Sequence, residues 1–195
     1  MIATDLLPAT RSQRLKAATR DSHGALDKRI MAGDIFASRA QFARFLRVQY
    51  RFHRDIDALY ANIALDALLP DLDTRRRLPL IARDLGDLEQ TLPGPVPVRL
   101  DPDLPLPAAL GWLYVAEGSN LGGTILYKMA AKLGLDAGFG ARHLAAHPDG
   151  AARHWREFTA ALDGVTLDDA QEQQVIDAAD AAFRSVHGHV ELEFA

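Results

Sequence analysis

The stretch Gly111-Trp112-Leu113-Tyr114-Val115-Ala116-Glu117-Gly118-Ser119-Asn120-Leu121-Gly122-Gly123 lies inside a helical apolar pattern that starts at Leu110 and resumes at Ile125. Leu110, Leu113 and Tyr114 set the spacing of one helix face. Gly118, Gly122 and Gly123 therefore fall in a helix interior, where each costs roughly 0.5–1 kcal/mol relative to alanine. The compensation expected is space, for backbone lying close against something flat or bulky. Gly118 and Gly122 are four residues apart and share a face, with Gly123 beside them and the polar Ser119 and Asn120 between. Small residues in helices most often permit close helix packing. Here the polar edge favours a ligand over a neighbouring helix.

Working outward, apolar residues recur at helical spacing along the chain, and no segment keeps the period-two alternation of a strand. The fold class expected is all-α, with seven or eight helices and a glycine-kinked one at its centre. Helices are expected over residues 10–30 and 38–63, the latter opened by a Ser38/Gln41 capping-box pattern and the longest regular helix. A third begins between Asp73 and Pro79, since proline suits only a first turn, and runs through Leu88. The glycine helix spans 107–133. Short helices follow at 141–146 and 151–162, the second stopped by Gly164, and a last one starts at Asp168 with Gln171 as its partner. Residues 91–107 hold six of the ten prolines and read as an extended connector. No internal repeat is present, so residues 1–195 read as one domain, with 1–9 as a loose tail.

Composition narrows the function classes. With 195 residues, 48% of them hydrophobic and 25% charged, the chain is long enough to bury roughly 70% of its unfolded surface. It has no cysteine, which excludes thiolate ligation, cysteine-type zinc sites and cysteine nucleophiles and is compatible with a reducing cytosol. The N-terminal residues lack the basic region and apolar core of a signal peptide. No apolar run approaches the ~20 residues of a membrane span. A net charge of −4 with dispersed bases argues against nucleic-acid binding. A cytoplasmic protein is expected, with neither membrane nor nucleic acid as a partner.

Upstream, Leu15, Thr19, His23 and Leu26 make one helical stripe. A lone histidine on such a stripe is usually only packed. Two neighbours change that reading. Asp27, four residues on, is placed to accept from the ring nitrogen that does not bind a metal, fixing the tautomer and raising basicity. Lys16, seven residues back and so about two turns or ~10 Å away, suits a carboxylate at a ligand's edge. A neutral imidazole facing bare glycine backbone would hold a haem by one axial ligand and leave the other face open to O2. The remaining histidines, His53, His143, His147, His154, His187 and His189, show no metal-ligand spacing. The chain has no Glu-x-x-His pair of the di-iron type. Glu117 reads as a cap or an ion-pair partner.

The segment Gly111 to Gly123, with Leu15-Lys16-Ala17-Ala18-Thr19-Arg20-Asp21-Ser22-His23 upstream, resembles the bacterial branch of the haem oxygenases. Residues 36–45 and 175–183 are similar to that family too. The resemblance implies a single-domain helical fold in which haem b, both cofactor and substrate, lies between the first helix and the glycine helix. It implies His23 as the metal ligand, Asp27 behind it, and Gly118, Ser119, Gly122 and Gly123 on the distal side, where bound O2 is directed at the porphyrin edge. Products would be biliverdin, CO and ferrous iron. Lys16 and Tyr114 match the propionate-binding pair of members that cut at the α-meso carbon, whereas members with shifted selectivity carry asparagine and phenylalanine. Biliverdin IXα is thus the expected isomer. The distal aspartate of animal members has no counterpart in the turn after Gly122, and Arg142 and Arg156 are the candidates for further propionate contacts. With no flavin or nicotinamide fingerprint in the chain, electrons would come from a reductase or ferredoxin, and the product would pass to a bilin-binding photoreceptor or another bilin acceptor. The alternatives are a non-catalytic haem-binding or haem-delivery protein on the same scaffold and a helical adaptor without cofactor. A thiamine-hydrolysing relative is disfavoured by the missing cysteine.

Overall fold

Thr10 opens the first helix: its hydroxyl accepts from the Gln13 backbone N–H while the Gln13 side chain accepts from the Thr10 N–H. In this computed structural model, which describes residues 9–94, 100–101 and 103–195, that helix is α1 (Arg11–Ala18), and a separate α2 (Arg20–Ala32) follows it. One continuous helix was the expectation. The break falls at Thr19, whose hydroxyl donates to the Leu15 carbonyl at 2.8 Å, the kind of back-bond that competes with the helix ladder and bends it.

Ser38 caps α3 (Arg39–Asp55), its side chain accepting from the Gln41 N–H. This helix stops short of residue 63. The chain tightens into a 3-10 turn (Asp57–Ala61), and the Asn62 side chain caps the one-turn α4 (Ile63–Asp66). Three-residue spacing eclipses side chains in a 3-10 turn, and Ile56 and Leu59 are both fully buried. At 17 residues α3 is not the longest helix. That place belongs to α8 (Asp169–Phe194), with 26, followed by α6 (Leu106–Ala130), with 25. Pro79 sits in the first turn of α5 (Leu78–Asp87). Residues 142–144 form a 3-10 turn where a short helix is expected, and α7 (Ala151–Gly164) precedes the Asp168/Gln171 capping box of α8. The eight α-helices match the expected class, and no strand occurs among the described residues. The tail at 1–8 and parts of the connector, 95–99 and 102, lie outside the described residues. No helix among those described is long and apolar enough to cross a membrane.

The long helices α6 and α8 form the spine, and α8 also receives α1, α2 and α3. Gly111 sets the approach: a Cβ there would lie 2.3 Å from the Val175 carbonyl oxygen and 2.8 Å from the Ala179 nitrogen. A main core joins Leu15, Leu26, Phe52, Leu110, Leu113, Phe158, Val175 and Val186, and a second core joins Ile35, Phe42, Phe45, Ile81, Leu85 and Leu144. Charged anchors, most of them buried, tie the helices together. Arg11 binds Glu172 and the Leu162 and Val165 carbonyls, Arg47 and Arg51 grip Glu193, and His189 meets Asp55 at 2.8 Å.

Candidate functional site

The glycine stretch does not break its helix, since α6 runs continuously from Leu106 to Ala130. Its faces differ sharply. Gly111 is pressed against α8, but a Cβ on Gly122 would meet nothing within 4 Å, and one on Gly118 would make ordinary contact with the Trp155 ring at 3.5 Å. Gly118 is flanked by α7 through Trp155, whereas Gly122 has no neighbouring helix over it among the described residues. Gly118, Leu121, Gly122 and Ile125 follow the i, i+3, i+4, i+7 rule of one apolar face, and on that face Leu121 is 38% and Ile125 66% exposed. An open apolar stripe with bare backbone in its middle suits a flat apolar ligand. Ser119, in the same turn, is exposed and donates its hydroxyl to the Ala116 carbonyl at 2.6 Å, so its acceptor capacity remains for water. Gly123 is turned elsewhere. It is buried, and its Cβ position lies 3.5 Å from the Leu144 side chain.

On α2 the predicted stripe is present, with Thr19 and Leu26 buried next to Leu15 of α1. His23 departs from it: its side chain is 61% exposed where an inward position was expected. One flank of the imidazole rests on Phe183 of α8, ring centroids 5.5 Å apart. Asp27 is beside it as the spacing predicts, Oδ2 lying 3.4 Å from Nε2. Ligation of iron through Nε2 therefore requires the ring to turn, for which its exposure leaves room. The neighbouring Ser22 donates to Asp180 of α8, so the turn that carries His23 is anchored although the imidazole is exposed.

Lys16 and Tyr114 are tied to one region through α7. Ser12, one turn before Lys16, binds Asp163 through its backbone N–H and hydroxyl at 2.7 and 2.8 Å. Burial raises the Tyr114 phenol above its ordinary pKa, and the Asp163 carboxylate adds to that. Tyr114 also packs on Trp155, the residue facing Gly118. Lys16 itself is exposed and makes no ion pair among the described residues. Of the two candidate arginines, Arg142 is unavailable for a propionate, because its guanidinium is held by Asp84 and Asp87. Arg156 is exposed.

Behind α6 lies a polar cluster that sequence spacing did not reveal. Glu117 is buried between the Arg75 guanidinium at 3.1 Å and the Tyr60 hydroxyl at 2.9 Å. Burial pushes its carboxyl up, while Arg75 and the Tyr60 hydroxyl hold it down against that. Arg75 also donates to the His154 carbonyl and faces His154 Nδ1 at 3.3 Å. Burial, with Arg75, His147 and Arg77 nearby, lowers His154 to about 4. The only hint in the sequence was an acid flanked by apolar residues. A second buried pair joins Asp84 to the His143 ring at 2.8 Å. Although burial acts to raise the Asp84 carboxyl, the His143 ring and the N–H groups of His143 and Arg142 hold it below its usual value. Both clusters clamp loops to helices. No group of three or more potential metal-binding side chains occurs among the described residues.

Comparison with known proteins places the chain in a family. The Heme oxygenase family profile matches residues 103–191. Heme oxygenase PigA from Pseudomonas aeruginosa is 44% identical over 186 residues, covering 95% of this chain and 93% of the relative. The haem oxygenase from Neisseria meningitidis, solved with NO and CO bound, superposes with a TM-score of 0.85 at 37% identity over 95% of this chain and 92% of that one. The haem oxygenase from Leptospira interrogans shares the fold, with a TM-score of 0.78 at 18% identity over 94% of this chain and 100% of that one. Identity of this size along nearly the whole of both chains, on a helical scaffold that leaves a glycine-lined apolar face open, establishes that the chain belongs to the haem oxygenase family.

Proposed function

We infer that this haem oxygenase holds haem between His23 and the Gly118–Gly122 face of α6 and cleaves it with O2 and external electrons. The observation that carries the reading is the open stripe of Gly118, Leu121, Gly122 and Ile125 in a chain whose His23 presents an exposed imidazole beside Asp27. Haem supplies both the iron that activates O2 and the porphyrin that is opened to biliverdin. The protein supplies position. His23 would ligate the iron, and Asp27 and Phe183 would limit how its ring turns. Gly118 and Gly122 let backbone approach the other side, while Leu121 and Ile125 shed water from the macrocycle. Lys16 and Tyr114 fix the carboxylates at the edge, each charge-assisted hydrogen bond being worth about 1.5–3 kcal/mol. The distal turn has no carboxylate facing this side, since Glu117 is engaged behind the helix. Proton supply on the open side therefore falls to water held by Ser119 and the bare backbone.

Haem titration followed by turnover under a reductase or chemical reductant, with catalase present, tests this. Steady loss of the Soret band with an extractable bilin is expected. A Soret band that survives reductant would instead support haem delivery without cleavage. A ferredoxin or flavin reductase is the expected electron source in the cell, with a bilin acceptor taking the product.

A further inference from the structure

The segment that follows the 3-10 turn at residues 142–144 crosses the back of α6 at its glycine-rich stretch. Leu144 packs on Gly123, the one glycine of the trio not turned to the open face. Three residues on, His147 lies flat on His154 of α7, ring centroids 4.3 Å apart and planes within 3°. The two rings close a small cavity whose other walls include Arg77, Glu117, Asn120 and Leu121. Both contacts therefore land on residues 117–123, the same stretch that carries Gly118 and Gly122, and Trp155, which faces Gly118, lines the cavity as well. The crossing has fixed ends. Asp84 and Asp87 hold Arg142, and Gly150, at φ +93°, turns the chain into α7, a backbone angle that favours glycine.

We propose that residues 142–150 form a strap behind the distal helix, that the His147–His154 stack is its catch, and that these two histidines act as positioning residues for the glycine-rich stretch. The surroundings of the catch favour neutral rings. His154 Nδ1 faces a guanidinium, which can only donate, so this nitrogen accepts and the ring is neutral. His147 Nδ1 accepts from the Asp149 N–H at 3.2 Å. A proton added to either ring puts a cation into a stack that already faces Arg75 and Arg77. The acids in reach are Asp149, 3.9 Å from His147 and 61% exposed, and Glu157, which is bound to Arg153. Glu117 is already paired with Arg75 and Tyr60. The neutral stack therefore keeps the strap closed on α6. The consequence for catalysis rests on α6 being the distal helix, but the strap itself does not.

Amide hydrogen exchange at residues 118–123 of the haem-free protein, corrected for intrinsic rates and measured at neutral pH, provides the test. His147 is 33% exposed, so its replacement leaves the core intact. In His147→Ala these amides should exchange at least about fivefold faster, as expected for a lowered local opening energy. His147→Phe, whose ring can still stack on His154, should keep wild-type protection. Wild-type exchange in His147→Ala, or exchange in His147→Phe as fast as in His147→Ala, overturns the proposal. The C–O stretch of the ferrous CO complex separates this from the haem reading. Altered exchange in His147→Ala with an unshifted C–O band keeps the strap and removes α6 from the distal side of the haem.

Discussion

His23 is the one member of its stripe that faces solvent, and a polar ring exposed between buried neighbours needs a partner to explain its place. Asp27 alone does not supply one, since an exposed pair of this kind is worth little. Iron does. His23→Ala is expected to bind haem with the histidine–iron stretch absent from the resonance Raman spectrum, and added imidazole should restore the band and part of the turnover. An unchanged band in the variant would remove His23 as ligand. Lys16 and Tyr114 decide a finer matter, namely how the macrocycle is rotated about the axial bond. A propionate contact of about 1.5–3 kcal/mol biases one seating at least roughly tenfold. The wild type should therefore yield mainly biliverdin IXα, and Lys16→Asn combined with Tyr114→Phe a mixture of isomers. Chromatography of the extracted bilin reads this directly. A mainly β or δ product from the unaltered protein would refute the seating while leaving haem cleavage intact.

Within α6 the same residue type does opposite things at different positions, and substitution separates them. Gly111→Ala forces a methyl against the Val175 carbonyl and Ala179 nitrogen, so α6 and α8 must part, a loss of about 1–3 kcal/mol for overpacking. Gly122→Ala meets nothing within 4 Å and should gain roughly 0.5–1 kcal/mol of helix stability. Urea midpoints of the two variants should move in opposite directions. Gly122→Leu should also fold, yet turn over poorly because its side chain enters the space over the ligand; full activity with normal O2 binding would count against the distal role of α6. Sequence patterning made part of this legible. The Ser38 cap and the Asp168/Gln171 box lie where local chemistry places them, and Gly118 and Gly122 share the open face that their spacing predicts. The rest depended on contacts far apart in the chain. Thr19 can cap, bend or continue a helix, and only its bond to Leu15 shows which. Gly111 and Gly123 look like their neighbours until α8 and Leu144 are seen against them.

At the scale of the whole molecule, the fold holds charged and polar side chains inside by pairing them, and that makes it sensitive to acid. Arg75 with Glu117, Asp84 with His143 and Asp55 with His189 each join segments distant in sequence, which is why none was evident from local spacing. His53, deep in α3, has its pKa lowered to about 3 by burial and by the nearby His143 and Arg77, and His154 is lowered to about 4. Both rings are neutral in the folded protein at pH 7, whereas in the unfolded chain they take up protons near the ordinary histidine value of about 6.5. Between that value and the folded ones the unfolded state binds more protons, so stability is full above about pH 6.5 and falls as pH drops through this window. For His53 alone the slope is about 1.4 kcal/mol per pH unit, with His154 adding less because it lies at a cavity edge. Asp84, Glu172 and Glu193, held below their usual values, extend the loss to lower pH, since their pairings disappear on protonation. The urea midpoint should therefore be flat above neutrality and decline steadily from about pH 6.5 to about pH 4.5. His53→Phe should shallow that decline whatever it does to the midpoint at pH 7. A midpoint unchanged down to about pH 5 would mean that His53 binds protons as readily folded as unfolded, and the interior around it would then have to admit water.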